Sequence, residues 1–444
     1  MIPGDTFKKI ILENERLITA GVGRILPREV SLPPATLEKV TVFYGVRRSG
    51  KTYLLFDLFR QNPGRALYMD FEDERLEGFT LADFERLRES FYELKPHLIR
   101  QKGALFLLDE VQNVKGWERF ARRLAERGGA RVFVTGSSSK MMPEEIHTAM
   151  RGRSWSQEIL PFSFREYAAA KDIPLGDPDY RYGARRALVK NRFRQYLQWG
   201  GFPEIAFLKG DYEKRKVLNE YLEAMFFRDF VERFKIKNLL LSERLKERLF
   251  SAFSTKYSLT SFWKQAKGQI PFSKDSLFSY YKRYLESMLL FEVRKLSESS
   301  YQRLRNPAKI YLVDPSLGRR VTSPDWGRLL ENVVFLELRR RGGEIFYFEG
   351  RRECDFVVKR EQGWSACQVT WQLDETNRER EMEGLAEACR ACGLARGLLL
   401  TSEDEGERRL GRIHLQIRPV WRWIIEGLPG ARRGLDRRRS PSRS

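Results

Sequence analysis

Histidine and cysteine are scarce in this sequence, three and four residues among 444. So few histidines argue against a His-built metal centre. All four cysteines (Cys354, Cys367, Cys389 and Cys392) lie beyond residue 350, so no disulfide scaffold supports the rest of the chain. Cys389-x-x-Cys392 has zinc-ligand spacing, but a second such pair is missing. Both residues fall in an expected helix over 381–393, where small buried side chains are the simpler reading. No apolar run approaches the ~20 residues that span a bilayer. The N-terminus, Met-Ile-Pro-Gly-Asp-Thr, lacks the basic-then-apolar pattern of a secretory signal. No internal repeat is evident. A cytoplasmic protein with no membrane partner is the expectation.

Acidic residues are also in deficit, 60 against 81 lysines and arginines, for a formal charge of +21. The stretch 431–444 has six Arg and one Asp, +5 in all, which leaves +16 on the parts expected to fold. A surplus spread that widely attracts polyanions, nucleic acid first. The competing account is an Arg-rich surface laced with ion pairs. At this length one hydrophobic core is not enough, and two to four domains are expected.

The most informative stretch is Thr41-Val-Phe-Tyr-Gly-Val-Arg-Arg-Ser-Gly-Lys-Thr52, an apolar strand running into Gly45-x-x-x-x-Gly50-Lys51-Thr52. Such a loop cradles phosphates with its backbone N–H groups, helped by the N-terminus of the next helix, here 51–60. Gly45 and Gly50 permit the tight path, with Arg47, Arg48 and Ser49 between them. Lys51 reaches the β/γ-phosphate oxygens, and Thr52 can ligate Mg²⁺. About 60 residues on, Leu105-Phe-Leu-Leu-Asp109-Glu110 places two acids at the C-terminal end of a buried strand. Asp109 can serve the metal, and Glu110 can polarise the attacking water. ATP and Mg²⁺ are therefore the expected ligands.

Strands are expected at 40–44, 66–70, 104–108, 131–135 and 157–160, with helices at 80–94, 117–126 and 140–150. This alternation implies a parallel sheet. If strand 131–135 lies between the P-loop and Asp-Glu strands, its tip brings Thr135 and Ser137 to the γ-phosphate. Serines that merely cap the following helix would look the same. Arg151-Gly-Arg153 could supply a cation to a neighbouring subunit's phosphate in a homo-oligomer, or form surface ion pairs.

Beyond Ser163 the pattern is mainly helical, broken by Trp199-Gly-Gly-Phe-Pro203. Helices at 241–253, 259–266 and 273–290, with Ser258 and Ser273 as N-caps, precede a hairpin of 290–296 and 308–313. Three helices and a hairpin make the winged-helix pattern of DNA-binding modules. Its candidate contacts to double-stranded DNA are Lys274, Lys282, Arg283, Arg303 and Arg305, each of which could equally be solvated charge. Tyr280 and Tyr281 read as core or groove-wall residues. A final α/β unit has a helix at 327–341, strands at 344–349, 354–359 and 365–370, a second helix, and a strand at 397–401.

Taken in order, Gly45–Thr52, Leu108-Asp-Glu-Val-Gln112, Thr135-Gly-Ser-Ser138, Arg151-Gly-Arg153, Leu160-Pro-Phe-Ser-Phe-Arg-Glu-Tyr167, Trp199-Gly-Gly-Phe-Pro203, Gly327-Arg-Leu-Leu-Glu-Asn332 and Glu353-Cys-Asp-Phe-Val-Val358 carry a resemblance. The chain resembles the archaeal and bacterial AAA-family ATPases that have a C-terminal domain of unknown function. The resemblance implies a multidomain α/β fold. Its parts are an AAA+-type P-loop core (39–162), a helical lid (163–237), a winged helix (238–316) and a C-terminal domain like PD-(D/E)xK restriction endonucleases (317–425). The sequence itself adds an N-terminal helical segment and linker (1–38) and, from its Arg/Ser/Gly-rich composition, a basic disordered tail (426–444). Carried over residue by residue, the nuclease pattern gives Glu331 and Asp355 as metal carboxylates. It puts Gln368 and Thr370 where Glu and Lys are needed, which loses one anion and the cation. Nuclease activity is therefore not expected. The leading expectation is an Mg²⁺-dependent ATPase that binds DNA. The alternatives are an ATP-regulated, metal-dependent endonuclease and a signalling or scaffold ATPase whose winged helix binds protein.

Overall fold

The computed structural model describes residues 2–427 except 102, 138–140, 176–177, 300–302, 304–305 and 319–323. The chain divides into two compact units. The first comprises residues 1–162 with the short pieces 202–204 and 286–288, and the second comprises the rest.

The first unit is built on five strands: β1 (Val40–Tyr44), β2 (Ala66–Asp70), β3 (Leu105–Asp109), β4 (Arg131–Gly136) and β5 (Ser154–Glu158). They lie in the order β2-β3-β4-β1-β5, every pair parallel. The sheet and its helices match the AAA+ P-loop fold, with β4 between the P-loop strand and the Asp-Glu strand. Strands β1 and β3 are buried throughout, as strands covered on both faces must be. The helices are α1 (Gly4–Arg16), α2 (Lys51–Arg60), α3 (Asp83–Leu94), α4 (His97–Arg100), α5 (Trp117–Arg127) and α6 (Pro143–Met150). Leu54, Leu55, Leu58 and Phe59 of α2 pack on Phe43, Leu107 and Phe133, and Ile18, Val22, Ile25, Val30 and Leu32 of the N-terminal segment join the same core. Arg60 fixes that segment by donating to the carbonyls of Ile18 at 2.8 Å and Gly23 at 3.0 Å.

Three elements of this unit differ from the sequence expectation by more than one residue. Strand β5 starts and ends earlier, because half-buried Ser154–Glu158 supplies the partners of Val40–Tyr44, while the apolar Ile159 and Leu160 lie past the strand's end. Helix α3 begins at Asp83, whose carboxylate accepts from the Thr80 N–H and hydroxyl at 3.0 and 2.7 Å. Helix α6 begins at Pro143, which suits a first turn.

The second unit opens with α7 (Phe164–Ala170), held at its start by reciprocal Ser163 and Glu166 bonds. There follow α8 (Gly183–Trp199), α9 (Pro203–Phe207, across the border between units) and α10 (Asp211–Ala224), which runs on into π-helical turns over Met225–Glu232. Next come α11 (Leu239–Ser251), β6 (Thr255–Tyr257), α12 (Leu259–Ala266), α13 (Lys274–Glu286), β7 (Leu290–Lys295) and β8 (Ala308–Leu312). Ser258 and Ser273 accept from the N–H groups of Ser261 and Ser276 and so begin α12 and α13. Helix α13 ends four residues short of the expected 290, and Met288 turns through φ +61°.

The chain continues as α14 (Trp326–Arg340), β9 (Glu344–Glu349), β10 (Glu353–Arg360), β11 (Gly363–Val369), α15 (Arg378–Ala391), β12 (Arg396–Thr401), β13 (Gly406–Leu410), β14 (Ile413–Pro419) and α16 (Val420–Glu426). Strands β13 and β14 and helix α16 have no counterpart in the sequence reading. Nine strands form one mixed sheet in the order β13-β14-β12-β11-β10-β9-β7-β8-β6. Parallel pairing of Arg294 with Phe346 and Lys295 with Tyr347 carries the hairpin β7–β8 into the same sheet as the C-terminal strands. The expected disordered tail lies outside the described residues from 428 onward.

Candidate functional site

The loop between β1 and α2 has the backbone of a phosphate cradle. Gly45 and Gly50 take φ of +153° and +94°, and a Cβ on Gly45 would strike the Ile159 carbonyl. Arg48 also takes positive φ, +64°. Ser49 is wholly buried, and its hydroxyl has no hydrogen-bond partner among the described residues. The Lys51 ammonium is folded onto the loop and donates to the carbonyls of Gly45 at 3.1 Å and Val46 at 2.9 Å. An orphaned buried hydroxyl and an ammonium held by loop carbonyls are groups that phosphate oxygens would satisfy.

The two acids sit at the end of β3. Asp109 is buried; it accepts from the Tyr68 hydroxyl at 2.9 Å and from Thr135 Oγ1. Burial pushes its carboxyl upward; hydrogen bonds from Thr135, Thr52 and Tyr68 oppose that, and the Glu110 charge adds to it. Thr52 and Asp109 are the residues that would hold Mg²⁺, and Mg²⁺ bound with phosphates needs few protein ligands. Glu110 adopts the left-handed region, φ +48°, which turns its carboxylate away from the strand direction. That carboxylate accepts from Gln112 Nε2 at 2.5 Å and from Ser137 Oγ at 3.1 Å, and the Glu110 N–H donates to Thr135 Oγ1 at 3.1 Å. Thr135 has one hydroxyl proton and gives it to Asp109. Thr135 and Ser137 thus bind the two acids directly, an arrangement that the sequence, which offered a γ-phosphate contact or helix-capping serines, did not foresee.

The remaining expected residues are placed as follows. Arg47 pairs with Glu72 at 3.1 Å, and Arg48 lies 3.6 Å from Glu204. Arg151 ends α6 at φ +51° with its side chain exposed. Arg153 pairs with Glu126 at 2.7 Å, the ion-pair alternative.

Two residues escaped the sequence reading. Arg28, in the N-terminal segment, donates to the Ser49 carbonyl and to the Leu160 carbonyl, both at 2.7 Å, and lies over the Phe162 ring. It pins the cradle to the end of the sheet. Asp70 lies in register with Asp109, and burial raises its carboxyl to about 6. A lone Arg in a linker carries no spacing signal. The Asp at the end of β2 was visible, but only the strand order makes it a neighbour of Asp109.

In the second unit, Glu331 and Asp355 do come together, and a cation stands between them. Lys309 of β8 is buried; its ammonium lies 2.7 Å from Asp355, 2.7 Å from Glu353 and 3.2 Å from Glu331. Tyr311 donates to Glu331 at 2.6 Å. The expectation of a lost cation is thus corrected, since Lys309 supplies one from outside the motif. Gln368 joins the cluster by accepting from the Asp355 N–H at 2.9 Å and donating to Glu381 at 2.5 Å. Thr370 does not join it, because its hydroxyl donates to the Gln372 carbonyl. Among the described residues no group of three or more His, Cys, Asp or Glu is arranged to hold a metal ion. These residues do not fit a catalytic metal. Cys389 is buried in α15, and burial raises its thiol to about 12.

Of the expected DNA contacts, Lys274 opens α13, with its ammonium 5.9 Å from the Trp263 and Phe278 rings, and Lys282 is exposed. Arg283 is half-buried and donates to the Phe234 carbonyl at 3.0 Å, so the protein already holds it. Arg303 is half-buried, and Arg305 lies outside the described residues. Tyr280 and Tyr281 are core residues.

Residues 37–168 match an AAA domain, residues 190–325 a domain of unknown function (DUF8612), and residues 326–421 another (DUF4143). Among solved structures, the Walker-type ATPase PABY2304 of Pyrococcus abyssi is similar at 13% identity and a TM-score of 0.40, covering 72% of this chain and 95% of that one. The ORC2 protein of Aeropyrum pernix, in its ADPNP–ADP complexes, is similar at 13% identity and a TM-score of 0.38, covering 76% and 94%. No helix among the described residues is long and apolar enough to cross a membrane. An uncharacterized protein of Haemophilus influenzae is 25% identical, over 77% of this chain and 85% of its own length. The uncharacterized protein MJ1544 of Methanocaldococcus jannaschii is 32% identical over 94% of this chain and 95% of its own. The chain therefore belongs to the same family as MJ1544, with an AAA domain at residues 37–168.

Proposed function

We propose that this protein is an Mg²⁺-dependent ATPase that uses hydrolysis to modulate its hold on double-stranded DNA. The observation that carries the ATPase reading is the placing of Asp109 and Glu110 together on Thr135 at the end of β3, with a phosphate-cradle loop whose buried Ser49 hydroxyl has no partner among the described residues. In this reading the loop N–H groups and Lys51 hold the triphosphate, and the ammonium leaves the Gly45 and Val46 carbonyls to do so. Mg²⁺, held by the Thr52 hydroxyl and Asp109, would neutralise charge on the phosphoryl oxygens. Glu110 orients a water in line with the γ-phosphorus and takes its proton as the bond to the β-phosphate oxygen breaks. Ser137 and Gln112 fix the Glu110 carboxylate for that role.

The DNA reading rests on the element order α11-β6-α12-α13-β7-β8, with strands ordered β7-β8-β6, which is winged-helix order, and on the charge of +21. Lys274 and Lys282 on α13 are its candidates for phosphate contact. The endonuclease alternative lacks support because, among the described residues, no group of three or more His, Cys, Asp or Glu is arranged to hold a metal ion.

The test is ATP turnover by Lys51→Ala and Glu110→Gln. Each should fall by about a hundredfold or more, the usual scale for losing a charge-stabilising or water-orienting group. Glu110→Gln should still bind nucleotide. Wild-type turnover in both variants would show that the site is misassigned. DNA affinity measured across salt concentrations separates the remaining readings, because a flat log–log plot would favour a protein partner for the α13 module.

A further inference from the structure

A second cluster of cations is built from the helical start of the second unit. A cavity of about 510 Å³ is walled by Lys171 just past α7, by Arg192, Gln195 and Trp199 of α8, and by Lys209 and Lys214 around the start of α10. Among the described lining residues the one acid is Asp211, and Lys214 lies 3.5 Å from it. Lys171, Arg192 and Lys209 face the same space with no carboxylate of their own on that wall. Arg192 donates from Nη1 to Gln195 at 2.8 Å, while its Nε–H is buried with no acceptor among the described residues. Burial, and then the charges of Lys214, Arg192 and Lys209, hold the Lys171 ammonium below the usual lysine range. Like charges crowded this way destabilise one another until an anion enters.

The cluster is also held in place. The Lys214 side chain is only 12% exposed, and its ammonium lies 5.1 Å from the centre of the Trp199 ring. The Lys171 ammonium lies 6.0 Å from that of Tyr167. Both cations are packed on aromatic faces, so little conformational freedom remains to be lost on binding.

We propose that this cavity binds phosphate oxyanions, as a site separate from the P-loop. Ammonium and guanidinium donors converging from three directions suit a tetrahedral, multiply charged anion better than a single planar carboxylate. The Trp199 ring is buried and lies beneath Lys214, so no base is expected to stack there, and recognition is of phosphate alone. The phosphate can come from free polyphosphate or from a nucleic-acid backbone.

The experiment compares wild type with Lys209→Glu, an exposed position, and with the double variant Lys171→Gln/Lys209→Glu. Tripolyphosphate binding is measured by calorimetry, and binding of a fluorescent DNA duplex by anisotropy at several salt concentrations. Both are run in the Lys51→Ala background, so that occupancy of the P-loop, and the truth of the ATPase reading, do not enter. The double variant should bind tripolyphosphate about tenfold or more weakly, from two lost charge-assisted contacts. If the natural source is DNA, the slope of log K against log salt should also shrink, by about 2 in the double variant and about 1 in Lys209→Glu. A tripolyphosphate effect with unchanged DNA binding would assign the site to free polyphosphate. Wild-type binding of both ligands by both variants would overturn the proposal, and Lys209→Glu keeps that outcome readable even if the double variant folds poorly.

Discussion

Replacing Lys309 with Met removes one positive charge from a buried cluster and leaves the length of the side chain nearly intact. Three carboxylates, Glu331, Glu353 and Asp355, then face one another without the ammonium that lies within 3.2 Å of each. Breaking a buried ion pair by removing one partner costs about 3–5 kcal/mol. At about 2–4 °C per kcal/mol for a unit of this size, the second unit should melt roughly 6–20 °C earlier. The loss should depend on pH. Burial and the Asp355 charge raise Glu331 to about 7 even with Lys309 pulling it down, and without Lys309 it rises further. A carboxyl raised in the folded state contributes stability in full below its unfolded pKa, and that contribution is lost as pH rises through the folded pKa, an interval that losing Lys309 extends upward. Lys309→Met should therefore be worse at pH 8 than at pH 6. Neutralising the acids in a Lys309→Met/Glu331→Gln/Asp355→Asn variant should recover most of the loss, because a whole buried ionic cluster can be exchanged for neutral groups at little cost. Hydrogen exchange read on peptides of β8, β10 and α14 follows the cluster itself and not the melting of the first unit. Protection in Lys309→Met within about 1 kcal/mol of wild type at pH 8, or a triple variant no better than the single one, would refute the reasoning, since either lies well outside the 3–5 kcal/mol expected of a broken buried pair.

Two further outcomes follow from the first unit. Arg28→Ala frees the Ser49 and Leu160 carbonyls, and the loosened cradle should bind a fluorescent ATP analogue about tenfold more weakly, the worth of one charge-assisted hydrogen bond. Arg28→Lys should recover part of that affinity, and an unchanged Kd in Arg28→Ala would show that the cradle does not depend on it. Asp70 has its carboxyl raised from the ordinary 3.8 to about 6, so its contribution to stability is present at low pH and is lost as pH rises through that interval. Asp70→Asn should remove this slope and stabilise the fold at pH 7 by about 1–2 kcal/mol, after allowance for partial solvent screening. Denaturant unfolding at pH 4 and pH 7 is the check, and a variant less stable than wild type at pH 7 would contradict the sign.

The first unit was legible in the sequence because its strands are almost wholly apolar and end in chemistry. Val40–Tyr44 and Leu105–Leu108 have no polar residue but Thr41, and glycines or acids follow at once. Strand β5, Ser-Trp-Ser-Gln-Glu, hides its place because an edge strand needs only half-buried side chains. Strand β13, Gly-Glu-Arg-Arg-Leu, looks like a loop for the same reason. The alternation Ile413, Leu415, Ile417 of β14 was readable and went unread. The Lys309 cluster could not have been found by spacing. Its members come from β8, α14 and β10, and they meet only once antiparallel and parallel registers have folded the hairpin onto the last strands.

The continuous nine-stranded sheet also bears on inheritance. The border between the two domains of unknown function falls between residues 325 and 326, with β7 and β8 on one side and β9, bonded to β7, on the other. Recombination at that border would leave two bare strand edges, each a template for aggregation. Lys309 would be parted from its carboxylates by the same cut. The two regions are therefore joined as a single folding module, and a cut at residue 325 should leave neither half well folded.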